Sequence, residues 1–127
     1  MLVELNIGLD CKDQPNTQVD IDARAAMARR MLSKFLVFSR GFYTSYPGPD
    51  GAQVNERGLF VTLETNNLFS ASREIFKTAI ALDQDCIAVY YPGRSQGLLL
   101  GPRAEAWGQF DANHFRRFDR ADERLAA

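Results

Sequence analysis

The sequence predicts an α+β domain with one antiparallel sheet. Three observations predict it: two segments of strict apolar alternation, two amphipathic helical segments, and a Pro/Gly turn joining consecutive β-rich runs. Over residues 57–65, Leu59, Val61 and Leu63 alternate with Phe60, Thr62 and Glu64. Period two marks a strand with one face buried and the other open. This strand is expected to be internal, with helices on its Leu59/Val61/Leu63 side.

The first strand is equally clear. Val3, Leu5, Ile7 and Leu9 alternate with Glu4, Asn6 and Gly8. Residues 10–19 are polar and hold Pro15 and Asn16, which reads as a loop. Asp20 is the expected cap of the helix that follows. Ile21, Ala25, Ala28, Met31 or Leu32, and Phe35 then fall on one face, with Arg24, Arg29, Arg30 and Lys34 largely off it.

Residues 36–46 turn aromatic and β-branched and read as a second strand. Its facing is ambiguous, because Phe38, Phe42 and Tyr46 compete with Val37 and Tyr43. Pro47-Gly48-Pro49-Asp50-Gly51 is a turn on composition. The strand of residues 54–65 returns from it as a hairpin. Asn66, Asn67 and Ser70 are candidate starters of a second helix, whose buried stripe is expected at Ile75, Phe76, Ala79, Ile80 and Leu82. Asp83-Gln84-Asp85 ends it. Residues 86–91 form a fourth strand, and Leu98 to Leu100 a short edge strand stopped by Gly101-Pro102.

The order β-α-β-β-α-β is the ferredoxin-like arrangement. Right-handed crossovers give the sheet order fourth, first, third, second, with both helices on one face. Residues 1–102 are read as this domain. Residues 103–127 are a C-terminal segment, aromatic first and charged last, expected to dock on it.

Composition narrows the function classes. The chain has 127 residues, 46% apolar and 24% charged, with a net charge of −1. That fits one globular domain and gives no global pull toward nucleic acid or an anionic membrane. No apolar run approaches a membrane span, and no basic region followed by an apolar stretch opens the chain. Two cysteines do not make a disulfide framework, so a cytoplasmic location is expected. No phosphate-binding glycine loop or cysteine–histidine zinc spacing is present. No cofactor, metal ligand set or catalytic residue is assigned.

The topology brings distant residues together. Cys11 and Cys86 are expected at one end of the sheet, with Asp10, Asp13, Asp83 and Asp85 near them. A buried thiol, a loop thiol and a solvated acidic rim explain them better than a redox or metal site. Glu4 and Glu64 share the open face, where acidic residues ordinarily serve solubility. His114 is the only histidine. It lies in a stripe of Trp107, Phe110, His114 and Phe118 at helical spacing, which reads as a docking face.

Arg57-Gly58-Leu59-Phe60-Val61 resembles the signature strand of the RNA-recognition motif, with one position missing and one aromatic lost. The resemblance implies a single-stranded RNA base stacked on Phe60. Glu4 and Asn6 stand where the first strand would need an aromatic, and the chain lacks basic excess, so nucleic acid is not the expected partner.

The expected function is a non-enzymatic protein-binding module. It would pair with itself as a homodimer, or serve as a partner-binding adaptor or inhibitor, including an accessory protein of a phage or plasmid. The expected open-face contacts are Phe42, Tyr43, Phe60, Thr62 and Tyr90. The C-terminal ones are Trp107, Phe110, His114, Phe115, Arg116, Arg117 and Phe118. Aromatic residues and arginine are enriched at such surfaces. The alternative is a small dimeric α+β barrel enzyme or ligand-binding protein with a pocket between sheet and helices, using Arg40, Tyr43, Tyr90 and His114.

Overall fold

The computed structural model describes residues 1–48, 50–91 and 97–107. The elements run β1 (Leu2–Gly8), α1 (Gln18–Met31), β2 (Leu36–Pro47), β3 (Gln53–Glu64), α2 (Leu68–Ala81), β4 (Ile87–Tyr90) and β5 (Gly97–Leu100), then a 3₁₀ turn at Ala104–Trp107. The five strands form one sheet in the order β2-β3-β1-β4-β5, and every neighbouring pair is antiparallel. This is the expected ferredoxin-like order with β5 added at the β4 edge. The extra strand makes β1 the centre of the sheet, with β3 inside it next to β2.

Alternation sets the two faces of the sheet. Val3, Leu5 and Ile7 of β1, Leu59, Val61 and Leu63 of β3, and Ile87 and Val89 of β4 point to the helices and are almost fully buried. Against them α1 sets Ile21, Ala25 and Ala28, with Leu32 just beyond it, and α2 sets Ala71, Ile75, Ala79 and then Leu82. The sheet–helix interface is therefore a packed core.

Three local features differ from the sequence reading. The cap of α1 is Thr17, not Asp20. Thr17 Oγ1 accepts from the Asp20 amide at 3.3 Å, while the Asp20 carboxylate accepts from the Thr17 amide at 2.9 Å. Both halves of a capping box are present, so Asp20 sits three residues into the helix. The Thr17 hydrogen bonds hold the Asp20 carboxyl below its usual range. The stripe of α2 is rotated. Ala71, Ile75, Thr78 and Ala79 are buried, while Phe76 and Ile80 lie at the margin, 39% and 55% exposed. Thr78 tolerates burial because its hydroxyl donates to the Glu74 carbonyl at 2.7 Å.

The third difference resolves β2. Its register against β3 shifts between Leu36 and Phe38. Such a bulge hands the following residues to the other face. Beyond it Phe38, Arg40 and Phe42 pair with Thr62, Phe60 and Gly58 on the open face. Tyr43 pairs with Arg57 and, one residue on from Phe42, belongs to the opposite face.

Two anchors hold the ends of the elements. After α2, Asp83 takes φ 53°, the Gln84 amide donates to the Ala79 carbonyl and the Asp83 amide to the Ile80 carbonyl. That is a Schellman stop built on aspartate instead of glycine. At the end of β1, Asp10 accepts from the Arg57 amide at 2.6 Å and from Arg57 Nη2 at 2.9 Å. Arg57 Nη2 also donates to the Asn16 carbonyl, and Arg24 donates to the Leu9 and Pro15 carbonyls and to Asn16 Oδ1. These bonds fix the loop of residues 10–16. They also commit Arg57 to the fold instead of to a phosphate backbone.

Among the described residues, no helix is long and apolar enough to cross a membrane.

Candidate functional site

The face of the sheet away from the helices is organised by register. One row runs Phe38, Thr62, Glu4, Tyr90 and Gly97 across β2, β3, β1, β4 and β5. The next row runs Arg40, Phe60, Asn6, Ala88 and Leu99. A third begins Phe42, Gly58 and Gly8. Directly opposed residues on one face lie close enough to touch, so each row is a contiguous line of side chains.

Small residues at the centre of this face let large ones close over it. A Cβ on Gly58 would stand 2.5 Å from Phe42 Cζ, so the Phe42 ring lies across that glycine. A Cβ on Gly8 would stand 2.7 Å from Glu56 Oε2 and 2.8 Å from Gln84 Oε1, so both polar ends reach over β1. Phe42, Phe60 and Ala88 are buried as a cluster of their own, with Tyr90 and Leu99 packed against it. The Arg40 guanidinium sits 5.6 Å from the centre of the Phe60 ring, within cation–π range.

Asn6 lies in the middle of this arrangement, between Phe60 and Ala88. It is 7% exposed, and among the described residues neither Oδ1 nor Nδ2 has a hydrogen-bond partner. A buried amide left in this state costs about 1–3 kcal/mol, and native proteins seldom carry one without a reason. The face therefore combines aromatic and aliphatic surface, a guanidinium, the carboxylates of Glu4, Glu56 and Glu64, a phenol and an unsatisfied carboxamide. Glu4 and Tyr90 have the group types used for acid–base chemistry, and they are direct cross-strand neighbours.

The expected open-face residues divide. Phe42, Phe60, Thr62 and Tyr90 share this face. Tyr43 does not join them: the shifted register of β2 puts it on the other side, with Arg57. Arg40 and Tyr90, named for an enzyme, are also on this face, whereas the sheet–helix interface in which that enzyme's pocket was expected is lined by the buried apolar cluster. Phe110, His114, Phe115, Arg116, Arg117 and Phe118 lie outside the described residues, as does the Trp107 side chain. Sequence reasoning did not pick out Asn6, Glu56, Gly58 or Leu99. Alternation in β1 does put Asn6 on the open face, but alternation alone does not say that it is buried there.

At the end of the sheet Cys11 and Cys86 are free thiols. Cys11 is buried and its Sγ donates to the Leu82 carbonyl at 3.3 Å. Asp85 accepts from Arg103 Nε at 2.6 Å, and Asp83 takes the same guanidinium at 3.5 Å. The acidic rim is thus largely tied up by arginines, Asp10 by Arg57 included. Among the described residues, no group of three or more metal-ligating side chains gathers. Glu64 lies diagonal to Glu4 and takes the Met1 amino group at 2.8 Å.

Burial, then Asp85 and Glu56, push the Cys86 thiol up from 9.0 to about 12. At pH 8 its thiolate fraction falls on the order of a thousandfold below that of an ordinary thiol, and alkylation slows with it. Iodoacetamide treatment of the native protein, followed by mass mapping of the Cys86 peptide, should show slow labelling that accelerates with pH up to about 12. Labelling at pH 8 as fast as free cysteine would contradict this environment. The folded state keeps this proton where the unfolded chain has lost it, so Cys86 makes stability fall as pH rises above about 9.

No protein-family model matches the chain, and no curated protein matches it in sequence. Solved structures do match in fold. A phage SAM lyase in complex with S-methyl-5'-thioadenosine superposes with a TM-score of 0.54 at 13% identity, covering 78% of this chain and 87% of that one. Phage SAM lyase in its apo state gives a TM-score of 0.46 at 13% identity, over 81% and 80% of the two chains. The first likeness shows a shared fold. It also corrects the expectation of a non-enzymatic protein-binding module, whether homodimer, adaptor or inhibitor. Over most of both chains the fold is shared, and the protein it is shared with is a SAM lyase in complex with S-methyl-5'-thioadenosine. The likeness favours the alternative expectation, a small dimeric α+β barrel enzyme or ligand-binding protein, over that module.

Proposed function

We propose that this chain is a small enzyme that binds S-adenosylmethionine (SAM) on the open sheet face and splits it to release S-methyl-5'-thioadenosine. The observation that carries the reading is the fold shared with a SAM lyase bound to that thioether. The open face supplies groups of the right chemical kinds.

Releasing the thioether from SAM means breaking the bond between the sulfonium and the four-carbon amino-acid arm. The bonding pair stays on sulfur, which loses its positive charge. The arm makes good the lost bond by elimination: a proton leaves the adjacent carbon for a base, and the pair from that C–H bond becomes a carbon–carbon double bond. A surface that is largely apolar and shielded from water favours such a loss of charge, because the cation gains most from solvation before the bond breaks. Phe42, Phe60 and Leu99 provide that surface. Glu4 provides a carboxylate for the cationic substrate, with the Tyr90 phenol beside it for proton transfer. Arg40 offers a guanidinium for the carboxylate of the amino-acid arm.

Incubation with SAM, followed by chromatography, tests the reading. S-methyl-5'-thioadenosine should accumulate in excess of the protein and well above a protein-free control. Glu4→Gln should slow it by about 100-fold or more, the usual contribution of a positioned proton-transfer group. SAM consumed no faster than in the control, by protein that also fails to bind the thioether, would overturn it.

A further inference from the structure

We infer that Asn6 is the residue that reads the adenine ring of the ligand. The inference rests on the proposed function for the identity of the ligand and on the structure for the residue. Asn6 is a polar side chain held in the centre of the sheet, more than nine-tenths buried, with both ends of its amide unsatisfied among the described residues. An isosteric leucine would serve the fold at least as well, since replacing an unpaired buried polar group by an apolar one is neutral or stabilising. A ligand that hydrogen-bonds the carboxamide would account for its place there.

The chemistry selects the occupant. A carboxamide offers one acceptor and two donors side by side. Adenine presents its amino group as donor next to a ring nitrogen as acceptor. Asparagine meets such an edge with two parallel hydrogen bonds, as it does when reading adenine in nucleic acids. The surroundings suit a flat, uncharged ring: Phe60 and Ala88 flank Asn6 across the strands, and the Phe42 ring covers Gly58 in the next row. The ribose and sulfur end of the ligand then extends along β1 toward Glu4, Thr62 and Tyr90. Asn6 is thus a specificity residue, separate from the groups that act on the sulfonium.

The test compares wild type and Asn6→Leu by calorimetric titration with S-methyl-5'-thioadenosine and with adenosine, alongside chemical denaturation. Asn6→Leu should unfold at an equal or higher denaturant concentration, and should lose about 10- to 100-fold in affinity for both nucleosides. Asn6→Asp, which keeps the acceptor and loses the donors, should also bind weakly. If wild type and Asn6→Leu bind the thioether equally, the role of Asn6 is overturned while the proposed function stands. If wild type binds adenosine but not the thioether, and Asn6→Leu loses adenosine, the role of Asn6 stands and the proposed substrate falls. Binding of neither nucleoside by a folded wild type overturns both. A marked loss of stability in Asn6→Leu would make Asn6 a structural residue and would also overturn the inference.

Discussion

Leu5→Ala should lower the free energy of unfolding by about 2–5 kcal/mol. Leu5 is fully buried in the central strand, with Val61 and Val89 opposite it on either side. The helices cover the same face, so the truncation cannot be refilled by water or by a surface loop. What is lost is the transfer free energy of the removed carbons plus the cavity they leave. Against a total of about 5–15 kcal/mol for a typical domain, this is a large share. The denaturation midpoint reports it, provided that the slope of the transition is unchanged. A loss below about 1 kcal/mol would mean that the sheet–helix interface collapses around the gap and is not close-packed.

Gly58→Ala should cost about 1–3 kcal/mol and disturb the open face at the same time. The new methyl would meet Phe42 Cζ at 2.5 Å and the Ile7 carbonyl oxygen at 2.9 Å. The ring can tip away, but the carbonyl belongs to the central strand and cannot move without shifting β1. Pairing Gly58→Ala with Phe42→Leu separates the two contacts. The double variant should recover the part due to the ring and keep the part due to the backbone, a coupling that a double-mutant cycle measures. Additive costs would mean that Phe42 does not lie on Gly58.

The strands were legible because alternation is a local property. Val3, Leu5 and Ile7, and Leu59, Val61 and Leu63, announce both their element and the face they bury. The facing of β2 was not, because the bulge at residues 36–38 shifts the phase within a run that is apolar on both sides. The stripe of α2 was misread for a different reason. Phe76 and Ile80 are the more hydrophobic residues, yet Ala71, Thr78 and Ala79 are the ones that let the helix approach the sheet closely. The cap of α1 falls to Thr17 because a capping box needs an acid three residues on, and Asp20 fills that place rather than the cap itself.

The candidate site was half legible for the same physical reasons. Phe60 and Thr62 follow from alternation in β3. Asn6 was visible as a polar residue on the open face, but its burial is a tertiary property that alternation does not carry. The two glycines, Gly8 and Gly58, carry no pattern of their own. Their role is set by Phe42, Glu56 and Gln84, which approach from elsewhere in the chain.

The proposed function puts a nucleoside on the open sheet face. Amide chemical shifts of the ¹⁵N-labelled protein, followed as S-methyl-5'-thioadenosine is added, test it most directly. Saturable shifts should concentrate at Glu4, Asn6, Phe60, Ala88 and Tyr90, with α1 and α2 little changed. Shifts centred on the helices, or none at millimolar nucleoside, would contradict it.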